Sequence, residues 1–283
     1  MRLSPTALCL LAVLLWPRAA TAHGDLHDQI LALTRAIAAA PADATLYLRR
    51  GELHRAHHAP RRARADFARA LALDPALDAA RLARARLLVE VGEPAEAGPD
   101  LAAFLGRHPG HVDATLVRAR ARRARGDVSG AAADYDTVLL AAPDPDRGLE
   151  RARLLAATGL DADRQRAVAG LDALMARLGP VVTLELEAIA LLARGGDYTV
   201  AIARVDEAIG RTPRANRWLV RKAELLRRAG RTGEARQAYH DARAALDTLP
   251  LERQQTRDTQ RTRAAIDDAL ADLSSTVPGP LHP

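Results

Sequence analysis

Residues 41–75 read PADATLYLRRGELHRAHHAPRRARADFARALALDP, and the proline that closes this stretch opens the next copy of it. Proline recurs at Pro41, Pro75, Pro109 and Pro143, always 34 residues apart. Twelve residues before each of the last three stands an alanine, Ala63, Ala97 or Ala131. A large residue follows four positions later: Phe67 after Ala63, Leu101 after Ala97, Tyr135 after Ala131, then Leu171 after Ala167, Val205 after Ala201 and Tyr239 after Ala235. The alanines are spaced 34, 34, 36, 34 and 34 residues apart, which counts six copies. Upstream of each lies a turn, marked by Gly92, Gly126, Gly159, Gly195-Gly196 and Gly230, with His58 in the equivalent place of the first copy. A period of this length is too long for one helix. It predicts a helix-turn-helix unit that stacks on its own copies.

The residue types agree with that reading. Small residues such as Gly51 and Ala63 belong where two antiparallel helices cross, because a larger side chain would hold the axes apart, and the bulky residue one turn later fills the space beside the crossing. Proline stops the second helix, since it lacks an N–H and its ring clashes with the preceding turn. No sustained apolar alternation between turn dipeptides signals a strand. An apolar content of 48% with only 3% aromatic residues suits many thin helix contacts better than one large core or an aromatic-walled catalytic cavity.

The first copy, through Tyr47, Gly51, Ala63, Phe67, Ala70 and Pro75, resembles the tetratricopeptide repeat. Later copies are looser: the early aromatic becomes Arg81, Thr115, Leu149, Glu185 and Leu219, and the second alanine becomes Phe104, Val138 and Leu174 in the middle three. The resemblance covers residues 41–250. It implies an all-α, right-handed superhelical solenoid of about six antiparallel helix pairs, acting as a scaffold for a protein or peptide rather than as an enzyme, and needing no cofactor. It also implies where a partner sits. The concave face in this family maps here to a spine of Leu48, Leu82, Leu116, Leu149, Leu186 and Val220, flanked by Glu52, Arg86, Arg120, Arg123, Arg153 and Glu224. Leucines beside central arginines suit an acidic or amphipathic segment. The family's carboxylate clamp needs asparagines in the groove, and Asn216 is the only asparagine in this chain.

A second ladder runs in phase with the first. The position before the small residue of the first helix is basic in five copies, at Arg50, Arg84, Arg118, Arg151 and Lys222. In the first three copies an aspartate precedes the large residue of the second helix: Asp66, Asp100 and Asp134. Shared phase predicts the ion pairs Arg50–Asp66, Arg84–Asp100 and Arg118–Asp134, which tie the two helices together without being binding residues. The fourth copy carries two extra residues, expected as a longer turn at 160–164.

Outside the repeats, residues 1–22 read as a secretory signal peptide: Arg2, an apolar run from Ala7 to Trp16, and a small-x-small site at Ala20-Thr21-Ala22. Ten apolar residues are too few to span a bilayer, so no stable membrane insertion is expected after cleavage, and the chain is expected in a periplasm or secreted. Residues 23–40 read as a capping half-repeat, 251–273 as a polar capping helix with Ile266, Ala269, Leu270 and Leu273 on one face, and 274–283 as a disordered tail. Cys9, the only cysteine, leaves with the signal. So do Arg2 and Arg18, which leaves 39 basic against 35 acidic residues, a net charge of +4. Such a modest balance, with signs alternating along the helices, argues against nucleic acid.

Histidines supply the competing reading, a copper-binding protein. Cleavage after Ala22 makes His23 the N-terminus, where imidazole and amine can chelate a divalent copper ion, with His27 one turn on; His54, His57 and His58 form a second group at helical spacing. No third matched ligand accompanies either group, so no metal site is assigned. The sequence contains no HExxH, phosphate loop, nucleophile elbow or cysteine nucleophile.

Overall fold

The structure is a computed structural model that describes residues 21–212 and 215–275. The expected signal peptide up to Ala20, the side chain of His23, and residues 276–283 of the expected tail lie outside the described residues. Every described element is helical. A first helix, α1 (Thr21–Ala39), is followed by six helix pairs: α2 (Ala44–Ala56) with α3 (Pro60–Leu73), α4 (Asp78–Glu90) with α5 (Ala97–Arg107), α6 (Val112–Ala124) with α7 (Val128–Ala141), α8 (Pro145–Ala156) with α9 (Asp161–Leu178), α10 (Val182–Arg194) with α11 (Tyr198–Gly210), and α12 (Asn216–Arg228) with α13 (Thr232–Asp247). A short α14 (Leu251–Gln254) and a longer α15 (Arg257–Ser275) close the chain. It divides within α7 into two compact units, residues 1–134 and 135–283.

In the first unit α1 packs on α2, α2 on α3 and α4 on α5. The crossing of α2 and α3 shows why the repeat needs a small residue: a methyl group on Gly51 would come within 2.5 Å of Phe67 Cε1. The Phe67 ring is wholly buried beside Ala63, Ala83 and Leu87, with Leu48 packed against the same group. The next pair builds its core from Leu82, Ala85, Leu101 and Phe104. In the second unit α8 packs on α9, α10 on α11, α12 on α13, and α15 covers α13 with Ile266 and Leu273 buried.

The turn between the helices of a pair holds its glycine in the left-handed region: Gly92, Gly126, Gly159, Gly196 and Gly230 have φ between 73° and 84°. His58 takes the same conformation at φ 53°, alone among the described residues other than glycine. A side chain with local hydrogen-bonding capacity tolerates this region better than most.

Three sequence expectations change. The two extra residues of the fourth copy do not form a longer turn at 160–164. Helix α9 begins at Asp161 and runs for 18 residues, against 14 in α3, because Asp161, Asp163 and the Asp161–Arg164 pair give its N-terminus a further stable helical turn. Helix α8 is one residue shorter than the other first helices, 12 against 13, and Asp144 as cap with Pro145 at the first position starts it one residue sooner after the preceding helix than α4 or α6. Up to Ala167 the α7–α8 link and α8 each lose one residue, the turn before α9 gains one and the start of α9 gains three, which makes the 36-residue interval. The earlier start of α8 also moves the early aromatic position of this copy from Leu149 to Gly148, which is buried against Leu174 and Leu184. The helix expected over 251–273 breaks after Gln254: the Gln254 carbonyl accepts from the Gln260 side chain, and Thr256 Oγ1 accepts from the Thr259 N–H to start α15. Ser274 and Ser275, expected in the tail, end that helix.

Candidate binding surface

The ion-pair ladder explains how the first helices are held in register. Arg50 donates to Asp66 at 2.9 and 2.7 Å, Arg84 to Asp100 at 2.6 and 2.7 Å, and Arg118 to Asp134 at 3.0 and 2.7 Å. All three aspartates are buried. The hydrogen bond that Arg50 donates to Asp66 is the main reason that its guanidinium is held above its ordinary pKa, and the bond to Asp100 does the same for Arg84. In the second unit the pattern shifts. Gly170 stands where an aspartate precedes the large residue in the earlier copies, and a methyl there would meet Arg151 Nη1 at 2.3 Å. Arg151 therefore turns back to Asp136 on α7, at 2.5 Å. Lys222 likewise reaches back to Asp206 on α11, at 2.7 Å.

With the first helices fixed, their remaining faces form the candidate surface. In the first unit α2, α4 and α6 lie side by side. Leu82 and Leu116 are buried, Leu48 is half-buried, and Glu52, Arg86 and Arg120 stand half-exposed one position past the small residue of each helix, with Arg123 exposed. Salt bridges cross between neighbouring first helices: Arg55, which also pairs with Glu52 of its own helix at 2.8 Å, reaches Glu90 at 2.9 Å, and Arg86 reaches the exposed Asp113 at 3.2 Å. In the second unit α8 lies beside α10. Leu149, Leu186, Val220 and Glu224 are half-buried there, and exposed Arg153 lies 3.7 Å from Glu187. The structure thus adds carboxylates beside the predicted arginines. The 35-residue separation of Arg55 and Glu90, one residue off the period, is the signal that could have revealed them.

The histidine group comes apart. Helix α2 ends at Ala56, so His57 and His58 leave the helical spacing and stand exposed in the turn. His54 is buried, its Nε2 3.9 Å from Asp66 Oδ2, and burial pushes its pKa down against the pull of Asp66. Among the described residues no three histidine, cysteine, aspartate or glutamate side chains converge to hold a metal ion, and no helix is long and apolar enough to cross a membrane.

This architecture matches known repeat proteins. The tetratricopeptide-repeat family model matches residues 82–147 and 186–250. A tetratricopeptide repeat protein from Parabacteroides merdae superimposes with a TM-score of 0.53 at 18% identity, over 90% of this chain and 94% of that one. PilW, described as a widely conserved type IV pilus biogenesis factor, gives 0.54 at 18% identity over 67% of this chain and 87% of that one. The structure of Naa15/Naa10 bound to HypK-THB gives 0.54 at 15% identity, over 90% of this chain and 44% of that one. No curated protein matches the sequence. The chain carries tetratricopeptide repeats over residues 82–147 and 186–250.

Proposed function

We propose that this protein is an exported scaffold that binds a protein or peptide with acidic and apolar residues along the exposed face of its first helices. The observation that carries the reading is the in-phase pair Arg86 and Arg120 on neighbouring first helices of the first unit; within the second unit, Arg153 stands at the same position of α8, the helix that carries Leu149. Arg86 and Arg153 rest against the side chains of Asp113 and Glu187, not in a buried network. Such surface pairs contribute about 0–1 kcal/mol, so a partner's carboxylate can replace the resident one at small cost. That a protein of the same fold is held in a complex, Naa15 with Naa10 and HypK-THB, supports a binding role. Export rests on the signal-like segment alone, and cleavage after Ala22 makes His23 the mature N-terminus.

The test has two arms. N-terminal sequencing of the protein recovered from a periplasmic fraction is expected to begin at His23; an intact Met1 in a soluble cytoplasmic fraction overturns export. Pull-down with the mature chain identifies a partner, whose affinity is then measured for wild type and for Arg86→Ala/Arg120→Ala. Loss of affinity with unchanged helical circular dichroism supports the first-helix face, and full affinity in the double variant rejects it.

A further inference from the structure

The residue after the large side chain of the second helix is an aspartate in three successive repeats: Asp136, Asp172 and Asp206. Each is occupied. Asp136 takes Arg151, Asp172 takes Arg204 at 2.7 and 2.6 Å, and Asp206 takes Lys222. In the second repeat the same position is Ala102, and four residues earlier, where Val168 and Ile202 stand in later repeats, is Gly98. At these two shortened side chains a cleft of about 260 Å³ opens between α5 and α6, lined by Pro94, Gly98, Leu101, Ala102 and Ala121 and by Arg118, Arg122 and Arg125.

The three arginines lie at i, i+4 and i+7 and so form one stripe of α6. Arg118 and Arg122 share the buried Asp134, the latter at 2.8 Å, and Asp127 lies 3.6 Å from Arg122. Arg125 is exposed and has no carboxylate partner among the described residues. Three guanidiniums therefore face two carboxylates.

We propose that this cleft is a docking site for an acidic, apolar segment of a partner protein: one apolar side chain fills the space over Gly98 and Ala102, and a neighbouring carboxylate pairs with Arg122 and Arg125. The volume lies below that of sites for drug-sized ligands, about 300–1,000 Å³, and suits one or two side chains. The apolar floor favours such a segment over a bare anion, which would leave that floor in water. The site is separate from the first-helix face. Residues two apart on a helix point about 200° from each other, so Leu116, Arg120 and Arg123 lie on the opposite side of α6.

The probe is a fluorescein-labelled peptide of alternating leucine and glutamate, with its leucine–glutamine counterpart, titrated into the full chain by fluorescence anisotropy. The glutamate peptide is expected to bind at least about fivefold more tightly, the effect of one charged contact, with affinity falling as salt rises. Ala102→Asp, which places a competing carboxylate in the cleft, and Arg125→Glu, a change at an exposed side chain, are each expected to weaken binding about fivefold, with helical circular dichroism unchanged. Arg243→Ala, at an exposed arginine of α13 that belongs to neither surface, is expected to keep full affinity. Equal binding of the two peptides, or full affinity in both cleft variants, overturns the proposal. Loss only in the Arg86→Ala/Arg120→Ala variant moves the peptide to the first-helix face, and competition by inorganic phosphate as effective as that of unlabelled peptide assigns the cleft to free anions; either result overturns it.

Discussion

Arg50 holds Asp66 with two parallel hydrogen bonds, from Nε to Oδ2 and from Nη2 to Oδ1, and so fastens α2 to α3 across the buried side of the crossing. The two charges are not equally committed. Asp66 is 6% exposed, whereas 19% of the Arg50 side chain reaches solvent. Removing Arg50 strands a buried carboxylate whose nearest other cationic candidate, His54, is itself held towards the neutral form by burial. Arg50→Ala is therefore expected to cost about 3 kcal/mol. Asp66→Ala lets the arginine relax into water and is expected to cost about 1 kcal/mol. Urea unfolding midpoints of the two variants check the asymmetry, and equal losses would show that burial of Asp66 is not what the pair compensates.

His58 carries a backbone conformation that its five counterparts leave to glycine. A left-handed residue with a Cβ costs about 1–2 kcal/mol, partly offset in comparison with glycine because the glycine chain loses more freedom on folding, about 0.5–1 kcal/mol. His58→Gly is expected to stabilise the chain by roughly 0.5 kcal/mol. The reverse change at the matching turn, Gly126→His, is expected to destabilise it. Thermal melts of the two variants should move in opposite directions; a lower melting temperature for His58→Gly would mean that the imidazole makes contacts worth more than the strain.

His54 makes stability depend on pH. Burial lowers its pKa below the ordinary 6.5 in the folded chain, and Asp66 only partly opposes this. The unfolded chain therefore binds the proton more readily than the folded one. Stability from this group is fully present above pH 6.5 and is lost as pH falls through the lower folded value. Denaturation midpoints at pH 7.5, 6.5 and 5.5 should decline across the last interval in wild type and decline less in His54→Gln. Parallel curves for the two proteins would assign the acid sensitivity to other groups.

Much of this was legible because the repeat makes each position visible several times. The Arg50, Arg84 and Arg118 ladder could be paired with Asp66, Asp100 and Asp134 from phase alone, since a shared offset of 16 residues means a shared geometry. Where the phase breaks, the reading failed. The interval from Ala131 to Ala167 gives only a net of two residues, and nothing in that sum separates a shorter α8 from an added turn of α9. Arg151 and Lys222 keep the basic position but lack an aspartate in their own repeat, so their partners Asp136 and Asp206 became identifiable only once neighbouring helices were in place. The face of the first helices was readable as a set of positions. Its companion carboxylates Glu90, Asp113 and Glu187 were not, because each lies on the next first helix and outside the phase that defines the row.

The closest approach in the first repeat supplies a last prediction. A methyl on Gly51 would meet Phe67 Cε1 at 2.5 Å and Cδ1 at 2.7 Å, and the ring has no exposed side to retreat to. Overpacking of this kind costs about 1–3 kcal/mol, while alanine in place of a helical glycine gains about 1 kcal/mol. Gly51→Ala is expected to lose about 1 kcal/mol overall. Gly106→Ala, where no atom lies within 4 Å of the added methyl, is expected to be neutral or stabilising. The second repeat already pairs an alanine with a leucine at the equivalent positions, Ala85 and Leu101, in one buried core. Gly51→Ala combined with Phe67→Leu copies that pair, so the double variant is expected to be more stable than the sum of the single losses, by about 1 kcal/mol of coupling. A double-mutant cycle from urea midpoints measures this term, and strict additivity, or a stabilising Gly51→Ala, would show that Phe67 does not set the size limit at the crossing.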